Sequence, residues 1–184
     1  DIDRQQGQQI APVLARIKDE QRPLTHLLRA WYAFFVLGDD NKAEVHSKES
    51  INVARQTFSK VKNPSQRTID SNLVRMFNKI CKFRWRLLHH MKNKNPVRLK
   101  EAKWVAEFFA PLAKERETPA GHYRVAWSQA VVHRTSAARS LGHGDYLEKN
   151  RADLEVIREK SRFGKIAGLA QSLLDHRPAG ISEP

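Results

Sequence analysis

Cysteine is nearly absent from this chain. One residue, Cys81, rules out an intrachain disulfide framework and fits a reducing compartment. Long apolar runs are missing too. The longest, AWYAFFVL at residues 30–37, falls far short of the roughly 20 residues that a membrane-spanning helix needs. No glycine-rich loop is present to cradle phosphates, and no nucleophile elbow. Strand alternation with hairpin signals, internal repeats and low-complexity tracts are all lacking. The eight histidines do not fill the gap. His89 and His90 are neighbours that would point about 100° apart on a helix, whereas a structural zinc needs convergent ligands, usually four. No metal, cofactor or catalytic set is therefore expected. The opening residues DIDRQQGQQ hold no signal-peptide pattern and no initiator methionine, so they carry no information on targeting.

Acidic charge is the scarcest commodity where basic charge is densest. Over all 184 residues, 33 lysines and arginines face 20 aspartates and glutamates, for a formal net charge of +13. Residues 60–100 hold Lys60, Lys62, Arg67, Arg75, Lys79, Lys82, Arg84, Arg86, Lys92, Lys94, Arg98 and Lys100 against Asp70 alone. That one stretch accounts for nearly all of the excess. A localised basic patch speaks about partners: nucleic acids, anionic membranes or acidic proteins.

The pattern that is present is helical. Residues 10, 13, 14 and 17 of IAPVLARI share one face. Pro23 suits the first turn of a helix running to Leu37. LGDDNK (37–42) is a break, and a rough helix start is expected near Ser47–Ser50. Asn63-Pro64-Ser65 is a turn, followed by a helix over 66–91. Asn95-Pro96 opens another, Thr118-Pro119-Ala120-Gly121 separates it from the next, and LGHGD (141–145) reads as a helix stop and restart. A last helix is expected from Leu147 to Leu174. The reading is an all-α helical bundle of about six or seven helices. It divides softly into a basic domain at 1–117 and a C-terminal region at 118–184, with a frayed tail at 177–184. Trp104 and Trp127 on either side of that boundary would equally suit one shared core.

On a helix over 66–91, Ile69, Leu73, Met76, Phe77, Ile80, Phe83 and Leu87 fall on one side. Arg75, Lys79, Lys82 and Arg86 fall opposite, within roughly 60°. No acidic residue stands at the i+3 or i+4 positions that would neutralise them. This predicts a solvent-facing line of charge, with Arg67, Lys92, Lys94, Arg98 and Lys100 extending it. A membrane-surface role is disfavoured, because the apolar side of the helix is better used as core. Trp85 lies off both faces and is the expected ring for stacking on unpaired bases. The aromatics of AWYAFFVL and KWVAEFFAPL are read as core.

Three local resemblances bear on function. Residues 51–76, INVARQTFSKVKNPSQRTIDSNLVRM, resemble a helix-turn-helix unit reaching to about residue 91. This implies that Gln66, Arg67, Asp70, Ser71 and Arg75 face DNA, although SKVKNP exceeds the usual turn of 3–4 residues. Arg84 with His89 has the R-x4-H spacing, and Arg84 with His90 the R-x5-H spacing. Both resemble the short signature of HEPN ribonucleases, all-α proteins, implying action on RNA at a dimer interface. SLGHGD (140–145) with Arg124 upstream resembles the LGH segment of tyrosine recombinases, but no tyrosine follows Tyr146. A glycine helix cap with an exposed His143 accounts for the same residues.

The leading expectation is a nonenzymatic protein that binds DNA or RNA through the phosphate backbone, as a regulator or as a subunit of a nucleoprotein assembly beside other protein subunits. It would act inside the cell, in the cytoplasm or on a bacterial nucleoid, and not at a membrane. The alternatives are an interaction module docking an acidic protein and, third, a HEPN-like ribonuclease.

Overall fold

A computed structural model of the chain describes residues 12, 16, 22–59, 71–115, 121–161 and 164–175. Among them are seven α-helices, one π-helical turn and no strand, so the protein is all-α as expected. The chain forms two compact units, Asp1–Met91 and Lys92–Pro184. No described helix is long and apolar enough to cross a membrane. Of the expected helix over 10–17, Pro12 and Arg16 are described; both are helical and exposed.

In the first unit, α1 (Pro23–Tyr32) opens with proline, whose missing N–H costs nothing at a helix start. The chain then widens into a π-helical turn, Ala33–Leu37, and stops at Gly38, which adopts the left-handed φ of +64° that glycine tolerates best. Helix α2 (Asp40–Ser59) starts seven residues earlier than Ser47. Asp39 is its cap, accepting from the Lys42 N–H at 2.9 Å, and that hydrogen bond holds its carboxyl below the usual range. Ser47 is instead a buried mid-helix residue. Ser50 Oγ donates to the Pro23 carbonyl at 2.7 Å, tying α2 to the start of α1. Helix α3 (Ser71–His90) packs on α2, with Phe58 and Phe77 edge to face at 4.8 Å. Ile51, Ala54, Val74, Ile80, Trp85 and Leu88 complete this core.

The second unit is built from two helical hairpins. Helices α4 (Asn95–Glu115) and α5 (His122–Ser140) pack through an alanine-rich seam that includes Ala102, Ala106, Ala126 and Ala130. The connection at 118–121, where a soft boundary was expected, lies inside this unit. Phe109 and Tyr123 meet across it at 6.3 Å. Gly142, at φ +78°, ends α5, and the His143 N–H donates to the Ala138 carbonyl. Helices α6 (Asp145–Lys160) and α7 (Gly164–Asp175) form the second hairpin. One helix was expected over 147–174. It is interrupted at Ser161, whose backbone is extended (φ −77°, ψ 120°), and resumes at Gly164.

Candidate nucleic-acid interface

Helix α3 separates its side chains by face. Val74, Phe77, Ile80, Cys81, Trp85, Leu87 and Leu88 are buried, together with one cation, Arg84. The Arg84 guanidinium is fully buried and is held by α2. Its Nη1 donates to Ser47 Oγ at 2.9 Å and to the Glu44 carbonyl at 3.2 Å, and Nη2 reaches Glu44 Oε1 at 3.3 Å. A charge this deep is tolerable only when paired and hydrogen-bonded. The pair therefore fixes the roll of α3 about its axis. With Arg84 turned inward, Arg75, Lys79, Lys82 and Arg86 are turned out, and all four are exposed.

These four lie within roughly 60° of the helix circumference over roughly 16 Å of its length. Helix α3 contains no acidic residue. None of the four has an ion-pair or hydrogen-bond partner among the described residues. Some cations on other helices are matched, Lys42 with Asp39, Lys103 with Glu107 and Arg151 with Glu148. Lys48, Arg139, Lys160 and Lys165 are exposed and, like the four, unpaired among the described residues. What sets α3 apart is that its four lie in one line on a helix with no acidic residue. Like charges three and four residues apart oppose helix formation by a few tenths of a kcal/mol per pair, about the size of one favourable pair. An external anion would convert that cost into binding energy.

The other expected site residues fare differently. Arg67 lies outside the described residues, as do Gln66 and Asp70, so the helix-turn-helix turn does too. Lys92, Lys94 and Lys100 belong to the second unit; Lys92 and Lys100 are exposed and Lys94 half-buried. Arg98 is a correction. It is 1% exposed, with Nη2 donating to Ser136 Oγ at 3.3 Å. Its spacing explains this: Arg98, Ala102, Val105 and Phe109 form the i, i+4, i+7, i+11 stripe that α4 turns inward. Desolvation there lowers its pKa to about 10. Arg98 is an interior group and makes no phosphate contact.

Trp85 is a second correction. It is fully buried and offers no face to a base. Arg84 and His89 point roughly 140° apart on α3, the first into the core and the second outward, so they do not converge within the chain. His143 follows the glycine cap of α5 and is exposed. Among the described residues no cluster of three or more His, Cys, Asp or Glu is placed to hold a metal ion.

An aromatic surface that was read as core borders the basic line. Phe35, in the π-helical turn, is 41% exposed. Its ring lies 4.9 Å from Trp31, 4.9 Å from Phe34 and 6.4 Å from Phe83. Phe83 is half-buried on α3, and Phe34 also meets the exposed His90 ring edge to face at 5.7 Å. The signal was in the sequence: adjacent helical residues point about 100° apart, so Phe34 and Phe35 cannot both face one core. No protein-family model, curated protein or solved structure matches the chain.

Proposed function

We propose that this protein is a nonenzymatic nucleic-acid-binding protein that grips the phosphate backbone through α3. One observation carries the reading. Arg75, Lys79, Lys82 and Arg86 are aligned, exposed and unpaired among the described residues, on a helix with no acidic residue. Arg84 is paired inside the first unit; these four meet no partner among the described residues. Neutralising backbone phosphates would release condensed counterions, and affinity would then fall steeply with salt. Four contacts to a single strand correspond to a slope of about −3 in log affinity against log salt. A regulator and a nucleoprotein subunit both fit this mechanism.

The test is the triple variant Lys79→Glu, Lys82→Glu, Arg86→Glu. Its helical circular dichroism should match the parent, because the three side chains are exposed, and its oligonucleotide affinity should collapse. Retained affinity would remove α3 from the interface. The same cations also suit an acidic protein. Co-purification of such a protein after nuclease digestion, with no oligonucleotide binding, would favour that second reading.

A further inference from the structure

The aromatic surface and the basic line are one continuous surface, and Phe83 joins them. On α3, Phe83 stands four residues after Lys79 and three before Arg86, so both cations are its neighbours along the helix. On its other side its ring lies 6.4 Å from exposed Phe35 and 6.1 Å from Phe34. Phe35 in turn rests on Trp31 at 4.9 Å. A row of cations is thus bordered, through Phe83, by a ring that is 41% exposed and has Trp31, Phe34 and Phe83 as its aromatic neighbours. The ring sits in a π-helical turn, a rare geometry found disproportionately at functional sites.

These two features make different demands on a ligand. The cations require regularly spaced anions. The exposed Phe35 ring suits a flat apolar surface that the ligand can bring beside those anions. A duplex meets the first demand only, since its bases are already stacked inside. An unpaired strand meets both, with phosphates on the cations and a base turned onto the ring. We therefore propose that the ligand is single-stranded nucleic acid, with its phosphates along Lys79, Lys82 and Arg86 and an unpaired base stacked on Phe35. This rests on the function proposed above and narrows it.

The experiment uses the full chain with a fluorescein-labelled single-stranded oligothymidylate and a mixed-sequence duplex of the same length, at one salt concentration. The parent should prefer the single strand. Phe35→Ala should lower single-strand affinity about tenfold, within the range for loss of one stacked base, and leave duplex affinity unchanged. Phe35→Leu keeps apolar bulk and guards against a folding artefact; it should lose nearly as much, because a leucine has no ring to stack. Full affinity in Phe35→Leu, or equal losses for both polymers, overturns the stacking assignment. A parent that prefers duplex overturns it too, while leaving phosphate binding by α3 intact provided that the triple reversal still abolishes binding. Failure of the parent to bind either polymer overturns both readings together.

Discussion

Helices α3 and α6 are both rich in charge, yet they use it in opposite ways. Helix α6 carries five acids and four cations, and three of the four cations are paired within the helix. Lys149 meets Asp145, Arg151 meets Glu148, Arg158 meets Glu159, and Asp153 reaches across to Arg134 on α5. Its acids Asp145 and Glu148 sit in the first turn and its cations Arg158 and Lys160 in the last, as the helix dipole favours. Helix α3 carries five cations and no acid. One of the five, Arg84, is paired inside, and four face out with nothing to meet them among the described residues. The comparison separates charge that serves the fold from charge left over for a partner.

The largest expected effect tests that separation directly. Reversing Lys79, Lys82 and Arg86 to Glu on α3 should cost on the order of a hundredfold in oligonucleotide affinity, since three phosphate contacts become repulsions. Reversing Lys149, Arg151 and Arg158 to Glu on α6 changes net charge by the same amount. It should cost far less, because those cations already have partners. Equal losses in a filter-binding or polarisation assay would mean that net charge, and not the α3 line, draws the ligand.

Next in size is the internal cation of α3. Arg84→Met leaves Glu44, whose side chain is 15% exposed, without its guanidinium. Loss of one partner of a buried pair costs about 3 kcal/mol or more, read as a lower midpoint in urea denaturation. The variant should also bind oligonucleotide less well when still folded, since the roll of α3 is no longer pinned. A stability change below about 1 kcal/mol would show that the apolar contacts of α3 set its roll without Arg84.

How much of this was legible in the sequence differs by residue. The basic line was legible because four cations at helical spacing leave only one face to occupy. The core opposite them was displaced. The apolar pattern put its centre near Ile80 and Leu87, whereas the buried set, Val74, Phe77, Ile80, Cys81, Arg84, Trp85, Leu87 and Leu88, is centred roughly 70° further round at 100° per residue. Arg84 misled the pattern because its partner lies 40 residues away on α2, a distance that no local periodicity reports. Trp85 followed it inward, and Phe83 was left at the border. The break between α6 and α7 was missed because a polar stretch, EKSR, gave no proline to mark it.

A smaller effect is expected at the interior arginine of the second unit. Among the described residues Arg98 has one hydrogen bond, to Ser136, and its Nε has no partner. Burial disfavours its charged form, so the folded pKa falls from the ordinary arginine value to about 10. The sign follows: the folded state bears the full desolvation cost below about pH 10, and the cost eases only as pH rises from about 10 toward the ordinary arginine value. At neutral pH Arg98→Met should therefore be neutral or stabilise by up to about 2 kcal/mol, the reverse of Arg84→Met. A loss as large as that for Arg84→Met would show that Arg98 is paired more strongly than its geometry indicates.

The smallest change would make α3 resemble α6. Asn72 is exposed in the first turn of α3, which holds no acidic residue. Asn72→Glu places a carboxylate near the positive end of the helix and three residues from Arg75. Those two gains should raise stability by about 0.5 kcal/mol. The same carboxylate occupies Arg75, so affinity for oligonucleotide should fall a few-fold and the salt slope should become shallower by nearly one contact. Opposite signs in the two assays are what the comparison requires: charge that finds a partner within the chain is withdrawn from the ligand. Greater stability with unchanged affinity would place Arg75 outside the binding surface and shorten the line to Lys79, Lys82 and Arg86.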